Sequence, residues 1–248
     1  MEHIVVAALA AGMLVAAFGY AAVGHGGASA YLAAMALAGI APAEMRPVAL
    51  VLNILVSSLA TWKFYGAGHF RWQLFWPFAV AAIPLAYVGG AITLPGQAYK
   101  VLVGVVLVYA AWQLWRSGRA GDEMREVREP PLAAAMMIGG AMGLLAGLTG
   151  VGGGIFLSPL LLMLGWAGTK QTSAVAAPFI LVNSVAGLAA VFVSTGFTLP
   201  GYVAFLAPAV LAGGWLGAGY GSRRFANPMV RRVLAVVLAA AGVKMVLV

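Results

Sequence analysis

Cysteine is absent from this 248-residue chain. That excludes disulfides, thiolate nucleophiles and thiolate metal sites, and it says nothing about compartment. Charge is scarce as well. Asp, Glu, Lys and Arg make up 8% of the residues, against roughly a quarter in a soluble domain. Carboxylates are the scarcest. There are six, and Asp122, Glu123, Glu126 and Glu129 crowd into one short stretch. Of the three histidines only His25 falls inside an apolar run, and no Asp or Glu accompanies it there. An intramembrane enzyme would need a Ser/His pair, paired acids or a zinc cluster at depth. The sequence therefore points away from an enzyme, a metal site or a cofactor.

What is abundant is hydrophobicity, at 63% of residues with a mean hydropathy of +1.00. The apolar runs repeatedly reach about 20 residues, the length that crosses roughly 30 Å of hydrocarbon. This is the composition of an all-α, polytopic membrane protein. The net charge of +8 then reads as basic loops that fix orientation, not as a nucleic-acid surface. The start, Met1-Glu2-His3-Ile4, lacks the basic n-region of a signal peptide, and its apolar run is too long for an h-region, so it reads as retained.

Two glycine-rich interruptions break the apolar pattern. Gly24-His25-Gly26-Gly27 precedes Ala28 and Ser29, and Gly150-Val151-Gly152-Gly153-Gly154 precedes Ile155. The two G-x-G-G copies start 126 positions apart, at 24 and 150, in a chain of 248. The chain reads as built twice. The first unit (1–118) has apolar segments Ile4–Val23, Ala28–Ala41, Pro47–Trp62, Gln73–Ile92 and Tyr99–Trp115. The second (132–248) has Leu132–Leu148, Ile155–Trp166, Ser173–Val193, Gly201–Gly221 and Pro228–Val248. The polar stretch Arg116–Pro131 reads as a solvated link, with 119–131 as the cytoplasmic linker proper. Asn53 matches Asn183, and Gly89-Gly90-Ala91 resembles Gly217-Ala218-Gly219. Internal duplication of this kind is common among transporters.

Loop charge decides how the chain passes each break. A mere kink would put the Arg-rich 116–131 and 221–232 loops on opposite sides, against the positive-inside bias. If the chain reverses at each break, Lys63, Arg71, Arg116, Arg119, Arg125, Arg128, Lys170, Arg223, Arg224, Arg231 and Arg232 fall inside. Arg46, Lys100 and Lys244 fall outside, a count of 11 against 3. Reversal predicts two inverted repeats and both termini outside. Ile155–Trp166, 12 residues long, would rise only about 18 Å and cannot span. The short pieces after the breaks read either as re-entrant half-helices or as short returns after a tilted full pass.

A half-helix N-terminus presents unpaired N–H groups and about half a positive charge. Glycine lets an anion approach that backbone. The candidate site is therefore Gly24, His25, Gly26 and Gly27 with Thr149, Gly150, Gly152, Gly153 and Gly154. Close helix packing is the competing role for these glycines. His25 either donates to an anion or bonds to backbone at the break. Asn53, Thr172, Ser173, Asn183 and Ser184 line a cavity or bridge helices. Glu44 and Arg46 read as a pair in a short outward loop, either a solvated surface contact or a gate contact. Trp62, Trp72, Trp76, Trp112, Trp115 and Trp166 sit near segment ends, as an interfacial belt expects.

Gly150-Val151-Gly152-Gly153-Gly154 followed by Pro159, then Thr172-Ser173 and Asn183-Ser184, resembles the sulfite exporter TauE/SafE family. Gly24-His25-Gly26-Gly27 with Asn53 fits the family's duplication, although Ala28 and Ala33 replace the second copy's Gly154 and Pro159. The resemblance spans the whole chain. It implies a multi-pass permease of a bacterial-type inner membrane, with about eight transmembrane helices, that carries a small anion such as sulfite or an organosulfonate; an anion channel or a non-transporting membrane subunit is the alternative. The expected partners are that anion and the lipid bilayer, with assembly as a homodimer left open.

Overall fold

The computed structural model describes residues 3–117, 128–223 and 228–247. Most of the expected linker, including Arg119, Asp122, Glu123, Arg125 and Glu126, lies outside them, as does Arg224. Among the described residues the chain is helical, without strands. The elements are α1 (His3–Ala21), α2 (Ala28–Leu37), α3 (Pro42–Gly66), α4 (Trp72–Ala91), α5 (Gly96–Ser117), α6 (Leu132–Thr149), α7 (Gly154–Met163), α8 (Thr169–Thr195), α9 (Val203–Arg223) and α10 (Pro228–Leu247). Seven of them, α1, α3, α4, α5, α6, α8 and α9, are long and apolar enough to cross a membrane. Helices satisfy their own backbone, which hydrocarbon demands.

The short elements are α2 and α7, 10 residues each. Each rises about 15 Å, half a bilayer core. Glycine starts both. Gly27 (φ 96°) and Gly153 (φ 82°) are left-handed N-caps that turn the chain back on itself, a conformation an L side chain resists.

Packing directions fix the topology. On α9, Gly213, Gly217 and Gly221 meet the backbone of Leu14 and Phe18 on α1 and of Ala22 just past its end, so the two run parallel. On α6, Gly139, Gly143 and Gly147 meet Phe78, Ala82 and Ala86 on α4 in the same sense. Small residues at four-residue spacing let backbones touch where no hydrophobic drive exists between helices. Both stripes belong to the second half of the chain, and the first half supplies the surface they grip. At the far end of α10, Lys244 donates to the carbonyls of Ala36 and Leu37, which end α2. The start of α1 and the end of α10 thus share one face, here the terminal face. The ends of α3, α5, α7 and α9 and the starts of α4, α6, α8 and α10 share the other, the linker face.

Aromatic residues are divided between these faces. All seven tryptophans lie in the linker-face half, and Trp62, Trp72, Trp112, Trp115 and Trp215 are exposed there. Lys63 sits 3.8 Å from the Trp215 ring and 4.8 Å from that of Trp62. The belt is therefore one-sided. An apolar groove of about 760 Å³ opens between α4 and α8, walled by Ile83, Pro84, Val182 and Val185 among others. It carries almost no polar surface and lies away from the glycine breaks.

Two segment starts differ from the sequence reading. Helix α3 begins at Pro42, five residues before Pro47, so Glu44 and Arg46 are helical, not in a loop. Pro42 takes the first helical position, where its missing N–H costs nothing, and Glu44 complements the N-terminal dipole. Helix α8 begins at Thr169, with the Gln171 amide oxygen accepting from the Gly168 N–H at 3.2 Å. Thr172 and Ser173 are thus within that helix.

Candidate functional site

The two breaks meet at the centre of the molecule, on Asn53 of α3. A Cβ placed on Gly26 would strike the Asn53 side-chain oxygen, and one on Gly152 would strike the Asn53 amide nitrogen. The Asn53 side chain, fully buried, donates through Nδ2 to the Ser184 hydroxyl on α8 at 2.9 Å. Its Oδ1 has no partner within the chain. One amide thus touches both breaks and both long central helices.

His25 supplies the second link. Its Nε2 lies 3.0 Å from the Gly154 carbonyl and 2.8 Å from the Ser158 hydroxyl, both at the start of α7. A carbonyl only accepts, so Nε2 carries the proton and donates. The ring therefore bonds to backbone, as one reading of the sequence had it, but at the other break. This geometry also answers the Ser/His question. With its proton on Nε2, the ring cannot take one from Ser158 through that atom.

Each break is braced differently. At the first, the Tyr31 phenol donates to the Gly26 carbonyl at 2.8 Å, and Ser29 donates to the Tyr20 oxygen at 2.8 Å. A side chain on Gly27 would collide with the Tyr31 ring end. At the second, Thr149 is used up locally. Its hydroxyl donates to Leu145 at 2.6 Å and accepts from the Val151 N–H, while its carbonyl accepts from Tyr99. Thr149 shapes the turn. Gly153 packs on the Phe179 ring, and Gly154 on Ile180 and His25.

The first intrahelical acceptors are the Gly27 carbonyl, bonded by Ala30 and Tyr31, and the Gly153 carbonyl, bonded by Phe156 and Leu157. The N–H groups of Ala28 and Ser29, and of Gly154 and Ile155, precede these bonds. These are the orphan donors a helix N-terminus offers. On α8, Thr172 Oγ1 and both amide atoms of Asn183 are further buried groups that lack a partner within the chain. Such groups cost free energy unless a ligand or water meets them.

The contacts of the two breaks can be set side by side. Gly24 rests on the backbone of Ser173, and Gly150 on Arg46. Gly26 rests on Asn53, and Gly152 touches Asn53, Ile180 and Ser184.

Two residues outside the expected site bear on it. Ser158, one turn into α7, holds the His25 ring. Arg46 is 7% exposed, not solvated. It donates from Nη1 to Ile92 at 2.9 Å and from Nη2 to Gly90 at 3.0 Å, closing the end of α4. Glu44 instead accepts from the Tyr202 phenol at 2.9 Å. Burial first, and then the neighbouring Glu44, push the Tyr202 hydroxyl up, so it keeps its proton and donates. Among the described residues no three His, Asp or Glu side chains gather as a metal site requires.

Residues 8–245 match the family described as sulfite exporter TauE/SafE. The chain is also 39% identical over 239 residues to the probable membrane transporter protein y4hK of Sinorhizobium fredii, with 96% of each chain covered. No solved structure matches.

Proposed function

Because the chain belongs to the sulfite exporter TauE/SafE family, whose members are membrane transporters and not enzymes, we propose that it carries a small oxyanion such as sulfite or an organosulfonate. The anion binds between the N-termini of α2 and α7. The amides of Gly26–Ser29 and Gly152–Ile155 face it, and Asn53, Ser184 and the His25–Ser158 pair bound it. Asn183, Thr172 and Ser173 line the path. Gly24, Gly27, Gly150 and Gly153 give the backbone its turns and close approaches, and Thr149 holds the second turn.

The observation that carries this reading is the meeting of both breaks on Asn53. Two half-positive helix ends converge there with no carboxylate among the described residues beside them, which suits an anion and repels a cation. Inverted-repeat transporters place their sites in this way. The repeats 1–118 and 132–248, joined by the 119–131 linker, rock against each other to expose the site to either side. In this reading the membrane is a bacterial inner membrane and the terminal face points outward.

Proteoliposomes loaded with sulfite or methanesulfonate test the reading. Wild type should give saturable flux. Asn53→Ala, which removes a hydrogen-bonding group from a charged ligand, should lower it by about tenfold or more. Gly152→Leu should abolish it. Equal flux in wild type, Asn53→Ala and Gly152→Leu would show that the anion does not pass between the breaks.

A further inference from the structure

We propose that Arg46 is the charge-selecting residue of the permeation path, standing between the terminal face and the central site. The proposal deepens the oxyanion reading above and rests on it.

Arg46 lies at the fifth position of α3, and Asn53 lies seven residues on. Seven residues are two helical turns, about 10 Å, so both side chains share the buried face. The second break joins them. Gly150 rests on the Arg46 stem, with Cγ 3.1 Å from where a Cβ would stand, and Gly152 rests on Asn53. A single turn of backbone thus leads from the guanidinium to the proposed anion site.

The surroundings of that guanidinium leave its charge uncancelled. A buried cation needs a counter-charge, and burying one without it is strongly unfavourable. Here its neighbours are two carbonyls, those of Gly90 and Ile92, at the weakly negative end of α4. Among the described residues the ion pair present is Arg71–Glu129, elsewhere. Glu44, two residues away, is bonded to Tyr202. A guanidinium has five N–H donors, and the α4 carbonyls use two. An ionisable group kept in this state inside a membrane protein marks a substrate path.

The opposite approach to the site sharpens the point. Where Gly150 abuts Arg46, Gly24 abuts Ser173, with the unpartnered Thr172 hydroxyl beside it. An anion nearing the centre from the linker face meets hydroxyls. From the terminal face it meets a cation. Capping α4 alone does not need charge, since an uncharged amide can also donate to a carbonyl.

Arg46→Gln and Arg46→Lys, assayed in proteoliposomes with methanesulfonate as substrate and sulfate as competing divalent anion, separate the two roles. Arg46→Gln keeps a donor for α4 and loses the charge. It should remain folded, with a thermal unfolding midpoint close to wild type. It should raise the apparent KM for methanesulfonate by about tenfold, and its ratio of sulfate to methanesulfonate inhibition constants should differ from that of wild type. Arg46→Lys should keep the KM within about threefold and keep the wild-type ratio. A folded Arg46→Gln with unchanged KM and unchanged ratio overturns the proposal and leaves Arg46 a cap. If Arg46→Gln does not fold, Arg46→Lys decides. A folded lysine variant that retains KM and ratio supports selection by charge, and one weakened tenfold or more, or one that also fails to fold, overturns it. Absence of any anion flux in wild type would instead defeat the transport reading itself.

Discussion

The first and second glycine breaks share a backbone and differ in what surrounds it. Both turn through a left-handed glycine, at Gly27 and Gly153, into a 10-residue helix that starts near the molecular centre. Both lie against Asn53. Yet the first carries His25, which reaches across to Gly154 and Ser158, where the second carries apolar Val151. The second abuts a buried arginine, where the first abuts a serine. Similar backbone turns thus carry different side chains. Amides at helix N-termini attract anions, and under the proposed function the unequal side chains would make the two approaches to the site different.

The strongest way to break this comparison is to add one methyl group to each break. Gly26→Ala and Gly152→Ala both drive a Cβ into the Asn53 amide. Each should cut anion flux by about a hundredfold, since nothing but glycine permits that approach. Gly12→Ala, where nothing stands within 4 Å, should leave flux unchanged. Break variants that behave like Gly12→Ala would disprove the convergence. A smaller effect tests the His25 tie. His25→Ala should lower the unfolding free energy by about 1–2 kcal/mol in detergent titration, and Ser158→Ala by about 1 kcal/mol. If His25→Ala and Val151→Ala were equally mild, the asymmetry at that position would be incidental. The least effect belongs to Tyr202→Phe. Losing the bond to Glu44 at the terminal face should cost under about 1 kcal/mol, with flux within about twofold of wild type.

The breaks were legible because glycine is conspicuous in an apolar chain and because loop charge distinguishes reversal from a kink. The short helices that follow them stop within a few residues of where the apolar runs stop. Arg46 was not legible. A charged residue beside Pro42, Glu44 and Pro47 reads as loop, whereas the helix starts at Pro42 and carries the arginine inward. The meeting of both breaks on Asn53 was not legible either, because it joins segments far apart in the chain. Which hydroxyls would be spent locally, as in Thr149, and which left unpaired, as in Thr172, depends on neighbours from distant segments. The one-sided tryptophan belt follows from the topology: the expected segment ends are the right ones, and they all fall on one face.

The central claim is that an oxyanion sits between the starts of α2 and α7. Selenite, a heavier congener of sulfite, makes that directly visible. Crystals of the wild-type protein soaked in selenite should give an anomalous selenium peak enclosed by the amides of Ala28 and Gly154 and the side chain of Asn53, and that peak should vanish in Gly152→Leu. A peak confined to other surfaces, or an empty centre at saturating selenite, would contradict the account.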